Sequence, residues 1–98
     1  MNETGIKKSR RQEKRLAREF KGRRQPGSGH FVGLKGDVLS PKYLFEAKYT
    51  DKKSYSLKLT TLEKIECEAA RSQRIPVLTV CFGGREYFIL RRMDFDVD

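Results

Sequence analysis

From Tyr43 to Tyr49 the chain reads aromatic, aliphatic, aromatic and then polar and apolar in turn, the period of a strand rather than a helix. Ser40-Pro41 just ahead favours a turn, so the strand is predicted to be entered through a hairpin. Successive side chains of a strand point to opposite faces, which puts Leu44, Glu46 and Lys48 on one face and Tyr43, Phe45, Ala47 and Tyr49 on the other. If the turn is centred on Pro41-Lys42, it sets Ser40 against Tyr43, Leu39 against Leu44, Val38 against Phe45 and Asp37 against Glu46; a three-residue loop makes that last pair diagonal instead.

Lys7 to Lys21 contains no Pro or Gly and is rich in Arg, Lys, Glu, Gln and Ala, which predicts a helix ending near Gly22. At about 100° per residue, Leu16, Ala17 and Phe20 form an apolar stripe centred close to Glu13, while Glu19 lies well off it. Thr50 to Ser54 is a polar loop. Thr60 with Glu63 reads as a capping box opening a second helix, from about Thr61 to Gln73, with Leu62, Ile65 and Ala69 as its inner face. Pro76 to Phe82 and Arg85 to Leu90 are β-rich runs joined by Gly83-Gly84, a hairpin signal. Helix, three short strands, helix, two strands predicts an α/β sandwich with a mixed central sheet of about five strands flanked by helices. One domain over 9–92 would lie between a flexible basic tail, 1–8, and an acidic tail, 93–98.

The hairpin register carries chemistry. Directly opposed strand residues have Cβ atoms roughly 5 Å apart, and two carboxylates there repel. A divalent cation between Asp37 and Glu46 removes that repulsion, and Mg²⁺, which binds one or two carboxylates while keeping several waters, suits the pair. Lys48 points into the same space as Glu46. The plainer alternative is a half-exposed strand on which Lys48 simply pairs one of the acids. Glu13, on the packed stripe of the first helix, has to be paired, protonated or metal-bound. Either a salt bridge to a nearby arginine or a third place around the same cation would satisfy it.

Charge narrows the partner. There are 22 Lys+Arg against 13 Asp+Glu, a net +9 on 98 residues, which suits a polyanion and above all nucleic acid. The basic residues are concentrated early, among them Arg10, Arg11, Arg15, Arg23 and Arg24, and give sequence-independent attraction to phosphate; a solvated helix face has the same composition. Arg23, Arg24 and Gln25 lead into Gly27-Ser28-Gly29, whose backbone N–H groups can approach a phosphate. His30, the only histidine, makes no zinc site with Cys67 and Cys81 alone and reads as a loop or DNA-facing residue. Lys64 and Thr61 on the second helix are either substrate contacts or ordinary surface residues. No stretch is apolar enough to cross a membrane, and the two cysteines, with no signal peptide, read as reduced thiols of a cytoplasmic protein.

A glutamate on the first helix, a basic Pro-Gly-Ser-Gly loop, an aspartate, a Glu-x-Lys strand, then a helix and two strands together resemble the PD-(D/E)xK nuclease superfamily, in particular its small archaeal and phage Holliday-junction resolvases. The matching residues are Glu13, Gln25 to Gly29, Asp37 and Glu46-Ala47-Lys48, within a resemblance covering roughly residues 9 to 91. Gly36 stands where the family's name has proline. The resemblance implies that Asp37 and Glu46 are ligands of Mg²⁺ or Mn²⁺, that Lys48 orients or activates the attacking water, and that Glu13 supports the metal or water. Ser28 matches a serine that contributes in the resolvases. It further implies an endodeoxyribonuclease acting on DNA, branched DNA first and duplex otherwise, in the host cytoplasm if the chain is phage-encoded. Tyr43, Phe45, Tyr49, Tyr55, Tyr87 and Phe88 are more aromatic surface than so small a chain readily hides, so a homodimer is expected, which would also suit paired cuts in a four-way junction. The competing readings are a nicking or double-strand endonuclease on linear DNA and a non-catalytic nucleic-acid-binding module.

Overall fold

A computed structural model describes residues 5–25 and 37–95, with side chains from residue 8 onward. The elements run α1 (Gly5–Glu19), β1 (Arg23–Arg24), β2 (Val38–Leu39), β3 (Tyr43–Tyr49), α2 (Leu59–Ser72), β4 (Ile75–Phe82), β5 (Arg85–Ile89) and a closing 3₁₀ turn at Arg92–Asp94. Five strands form one sheet in sequence order. β3 and β4 are parallel and the other pairs antiparallel, so the sheet is mixed and α2 is the crossover between its two central strands.

One helix packs on each face of the sheet. Under α1 lie Leu16, Val38, Phe45, Ala47 and Val77, flanked by Phe20 and Tyr43. Under α2 lie Leu39, Leu44 and Ala69 at one end and Ile65, Leu78 and Val80 at the other, with Leu62 and Tyr55 packed alongside. The alternation read from Tyr43 to Tyr49 is therefore the real division: Phe45 and Ala47 face α1, while Leu44, Glu46 and Lys48 face α2. Phe45, counted among the surplus aromatics, is fully buried, where its ring meets Phe20 at 4.8 Å and Phe88 at 5.8 Å.

Both helices end by the same device. Lys21 adopts φ 56°, and the Gly22 N–H donates to the Ala17 carbonyl at 2.8 Å; Gln73 adopts φ 58°, and the Arg74 N–H donates to Ala69 at 2.9 Å. This left-handed residue followed by a backward hydrogen bond satisfies carbonyls that the last turn leaves open. The start of α2 corrects an expectation. It begins at Leu59 with Lys58 in the capping position and no side-chain cap, so Thr60 already lies inside the first turn and the Thr60/Glu63 capping box does not form. The Gly83-Gly84 turn joins β4 to β5 with φ 60° and 71°, the double positive φ that a two-residue hairpin requires. Among the described residues no helix is long and apolar enough to cross a membrane.

Candidate functional site

The hairpin has the register set by a Pro41-Lys42 turn. Val38 pairs with Phe45 and Leu39 with Leu44, the Ser40 N–H donates to the Tyr43 carbonyl at 2.9 Å, and Ser40 Oγ accepts the Tyr43 N–H at 2.9 Å. At Asp37 the chain leaves the ladder. Its N–H donates to Phe45 O at 2.9 Å, its own carbonyl accepts the Gln25 N–H at 2.9 Å, and its Oδ2 accepts the Ala47 N–H at 2.7 Å. The carboxylate thus satisfies an amide that a longer β2 would have paired, and closes the fork where β2 departs from β3. Asp37 is not a ladder partner of Glu46, yet its charge still acts on Glu46.

Glu46 and Lys48 share the α2 face as the strand alternation requires, with Lys48 Nζ at 3.5 Å from Glu46 Oε2. The Glu46 side chain is only 14% exposed. Burial, then the Asp37 charge, pushes its carboxyl up to about 7, against the opposing pull of Lys48 and Lys64. Asp37 is raised as well, again chiefly by burial, although the Ala47 N–H and the charges of Lys48, Lys64 and Arg24 hold it down. Lys64 is thereby placed on the acid side of α2. Glu68, buried on the same helix, adds a further negative charge near Glu46. Sequence reading missed Glu68, although its spacing of three from Ile65 puts it on the inner face already assigned to Ile65 and Ala69.

Glu13 is the acid that the packed face of α1 had to satisfy, and an arginine does so: Arg24 Nε donates to its Oε1 at 3.2 Å. Its carboxyl is nonetheless raised, by burial first and by Asp37 second. Among the described residues no three His, Cys, Asp or Glu side chains come close enough together to hold a metal ion. Glu13 neighbours Asp37 electrostatically while ion-paired to Arg24 of β1. The stripe was also set slightly off centre. Gln12, 1% exposed, sits deepest with Leu16, which turns Glu13 to the margin of the packed face.

The remaining candidates scatter. Arg23 is exposed on β1 beside the half-buried Arg24, and Gln25 is tied to Asp37 through its backbone. Arg10 is exposed on α1 and its charge reaches Glu13; Arg11 is also exposed. Arg15 points the other way, to Glu86 on β5 at 2.7 Å. Thr61 faces a groove that begins at Lys48. Ser28 and His30 lie outside the described residues.

No protein-family model matches the chain, and no curated protein matches it. A solved structure does: Hjc, a Holliday junction resolvase from the archaeal hyperthermophile Archaeoglobus fulgidus, superposes with a TM-score of 0.66 at 17% identity, over 82% of this chain and 73% of that one. The chain has the Hjc fold. At that identity the agreement lies in architecture: a five-stranded mixed sheet between two helices, of the restriction-endonuclease-like type.

Proposed function

We propose that the chain is a metal-dependent endodeoxyribonuclease of the PD-(D/E)xK type that cuts branched DNA as a Holliday-junction resolvase. The observation that carries this reading is the meeting of Asp37, Glu46 and Lys48 at the fork between β2 and β3, in a frame of the Hjc type.

The residues fit a hard divalent cation. Two half-buried carboxylates whose charged forms are disfavoured by their surroundings gain from a neighbouring positive ion, and Mg²⁺ is commonly held by one or two carboxylates with waters and substrate phosphate completing its shell. Asp37 and Glu46 would hold Mg²⁺ or Mn²⁺, which supplies an acidified water and a counter-charge for the phosphate. The chain's own residues do the rest. The Ala47 N–H fixes Asp37 through Oδ2 and leaves the other oxygen for the site. Lys48, held beside Glu46, places a fixed positive charge where the attacked phosphate becomes more negative. Lys64 adds a second charge from α2. Arg24 pairs with Glu13 beside Asp37 and opposes the upward shift of its carboxyl, and Glu13 would support the metal or water from there.

DNA enters as the substrate through the net charge of +9 and the arginines of α1 and β1. A homodimer supplies the paired sites that symmetric cutting of a four-way junction needs. The test is cleavage of a labelled four-way junction beside linear and supercoiled duplex. Paired symmetric cuts in Mg²⁺, abolished by EDTA and reduced by on the order of 10³ or more in Glu46→Ala and Lys48→Ala with junction binding retained, are the expected result. Turnover unchanged by EDTA would overturn the mechanism, and cutting confined to linear duplex would replace the resolvase by a simpler endonuclease.

A further inference from the structure

Lys48 stands between two spaces. On one side are the carboxylates; on the other, a groove of about 500 Å³ opens along the loop from β3 into α2. Every side chain that lines this groove is an ammonium or a hydroxyl: Lys48, Lys52 and Lys58, with Thr50, Ser54, Tyr55, Ser56 and Thr61 between them. Among the described residues no Asp, Glu, Leu, Ile or Val lines it. Two other cavities differ in kind. The one between α2 and β5 is lined by Leu62, Ile65 and Leu78, and the basic one on the α1 face has Lys8 already bound to Asp51 and Arg15 to Glu86.

Lys52 and Lys58 carry no ion pair among the described residues, unlike Lys8, Arg15, Arg24, Lys48 and Arg91. Two uncompensated ammonium groups beside a row of hydroxyls form a surface that attracts anions and offers hydrogen bonds to their oxygens. The loop is held in shape from beneath. Tyr55 packs against the cluster of Ile65, Leu78 and Val80, the Thr50 N–H donates to Cys81 O at 3.1 Å, and the Lys52 N–H donates to Thr50 Oγ1 at 3.1 Å. A wall fixed in this way loses little conformational freedom when a ligand arrives. The first turn of α2 bears no acidic residue, so nothing there opposes an anion.

We infer that this groove seats the sugar-phosphate backbone of the cut strand next to the scissile linkage, with Lys52 and Lys58 as its phosphate contacts and the hydroxyls as donors to the same oxygens. Its place next to the chemistry rests on the nuclease reading above; its binding chemistry does not. Sequence-independent backbone contacts of this kind fix where a strand lies without reading its bases.

Binding is measured by anisotropy of a labelled four-way junction over a range of salt, in a Glu46→Gln background so that the probe is not consumed. Lys52→Ala and Lys58→Ala are each expected to weaken binding by roughly three- to tenfold and to flatten the plot of log K against log salt by about 0.9. Lys53→Ala removes the same charge from the same loop but lies outside the groove lining, and is expected to change the slope by much less. With Glu46 intact, the groove variants should raise KM while largely keeping kcat. Equal effects of Lys52→Ala and Lys53→Ala would overturn the proposal, reducing the loop to a solvated charge cluster. A full slope change in a wild type that never cleaves DNA would leave the groove standing and remove the nuclease reading; cleavage with unchanged slopes would do the reverse. A chain with no affinity for the junction would remove both.

Discussion

Glu46 concentrates the competing demands at the residue scale. A carboxyl raised in the folded state contributes stability while it is protonated, fully below its ordinary value of 4.5, and loses that contribution as pH rises through about 7. Glu13 and Asp37 are raised too, so they act in the same direction. The metal-free protein is therefore expected to lose thermal stability between about pH 5 and about pH 8, by up to a few kcal/mol, while Glu46→Gln shows a flatter profile and melts higher at the alkaline end. Thermal melts in EDTA across that range check this; a wild-type profile as flat as that of the variant would remove Glu46 as the source. Added Mg²⁺ should restore stability to the wild type at the upper end and do less for the variant. Much of this was legible in the sequence: alternation put Glu46 and Lys48 on one face, and Ser40-Pro41 set the register that brings Asp37 near. The Ala47 N–H that captures Asp37, the Arg24 that pairs Glu13, and Glu68 were not, because each depends on which segments meet after the sheet is assembled.

At the scale of elements, the end of α1 lies hard against the hairpin. A Cβ at Gly22 would lie 2.6 Å from Leu39 O and 3.0 Å from both Leu39 C and Ser40 Cα, all backbone atoms of the segment that orients Asp37. Gly22→Ala is expected to lower stability by about 2 kcal/mol or more, a fall in Tm of roughly 10 °C, by forcing β2 away from the end of α1. Urea or thermal unfolding measures it, and a Tm within about 2 °C of wild type would show that the two elements can separate without strain. The helix end near Gly22 was readable from composition, but the close approach was not, since it is a tertiary contact. The start of α2 failed for a different reason. Thr60 and Glu63 have the spacing of a capping box, but the helix extends back to Leu59, and Lys58 takes the cap without a side-chain bond.

The whole molecule is small enough that two helices cover only part of its sheet. Tyr87 and Phe88 on the edge strand β5 are each 44% exposed, and Met93 and Phe95 just beyond it are 79% and 60% exposed. The aromatic excess seen in the sequence is therefore partly resolved within the chain, where Phe45 is buried, and partly left at this one edge. If a second copy covers that edge, Met93→Glu with Phe95→Ser should convert a dimer to a folded monomer in sedimentation experiments and abolish paired cutting; a wild type that is monomeric at the concentrations where it cleaves junctions would exclude the arrangement. The element order and the mixed sheet followed from counting elements, whereas the groove between β3 and α2 did not, because Thr50 to Ser54 reads only as a polar loop until Lys52 is seen to share one wall with Lys48 and Lys58. The fork closed by Asp37 has a practical consequence of its own. Take that carboxylate away and the buried Ala47 amide is left without its acceptor, so a variant meant to silence the proposed chemistry while sparing the sheet is better made at Glu46, whose side chain holds no main-chain group among the described residues.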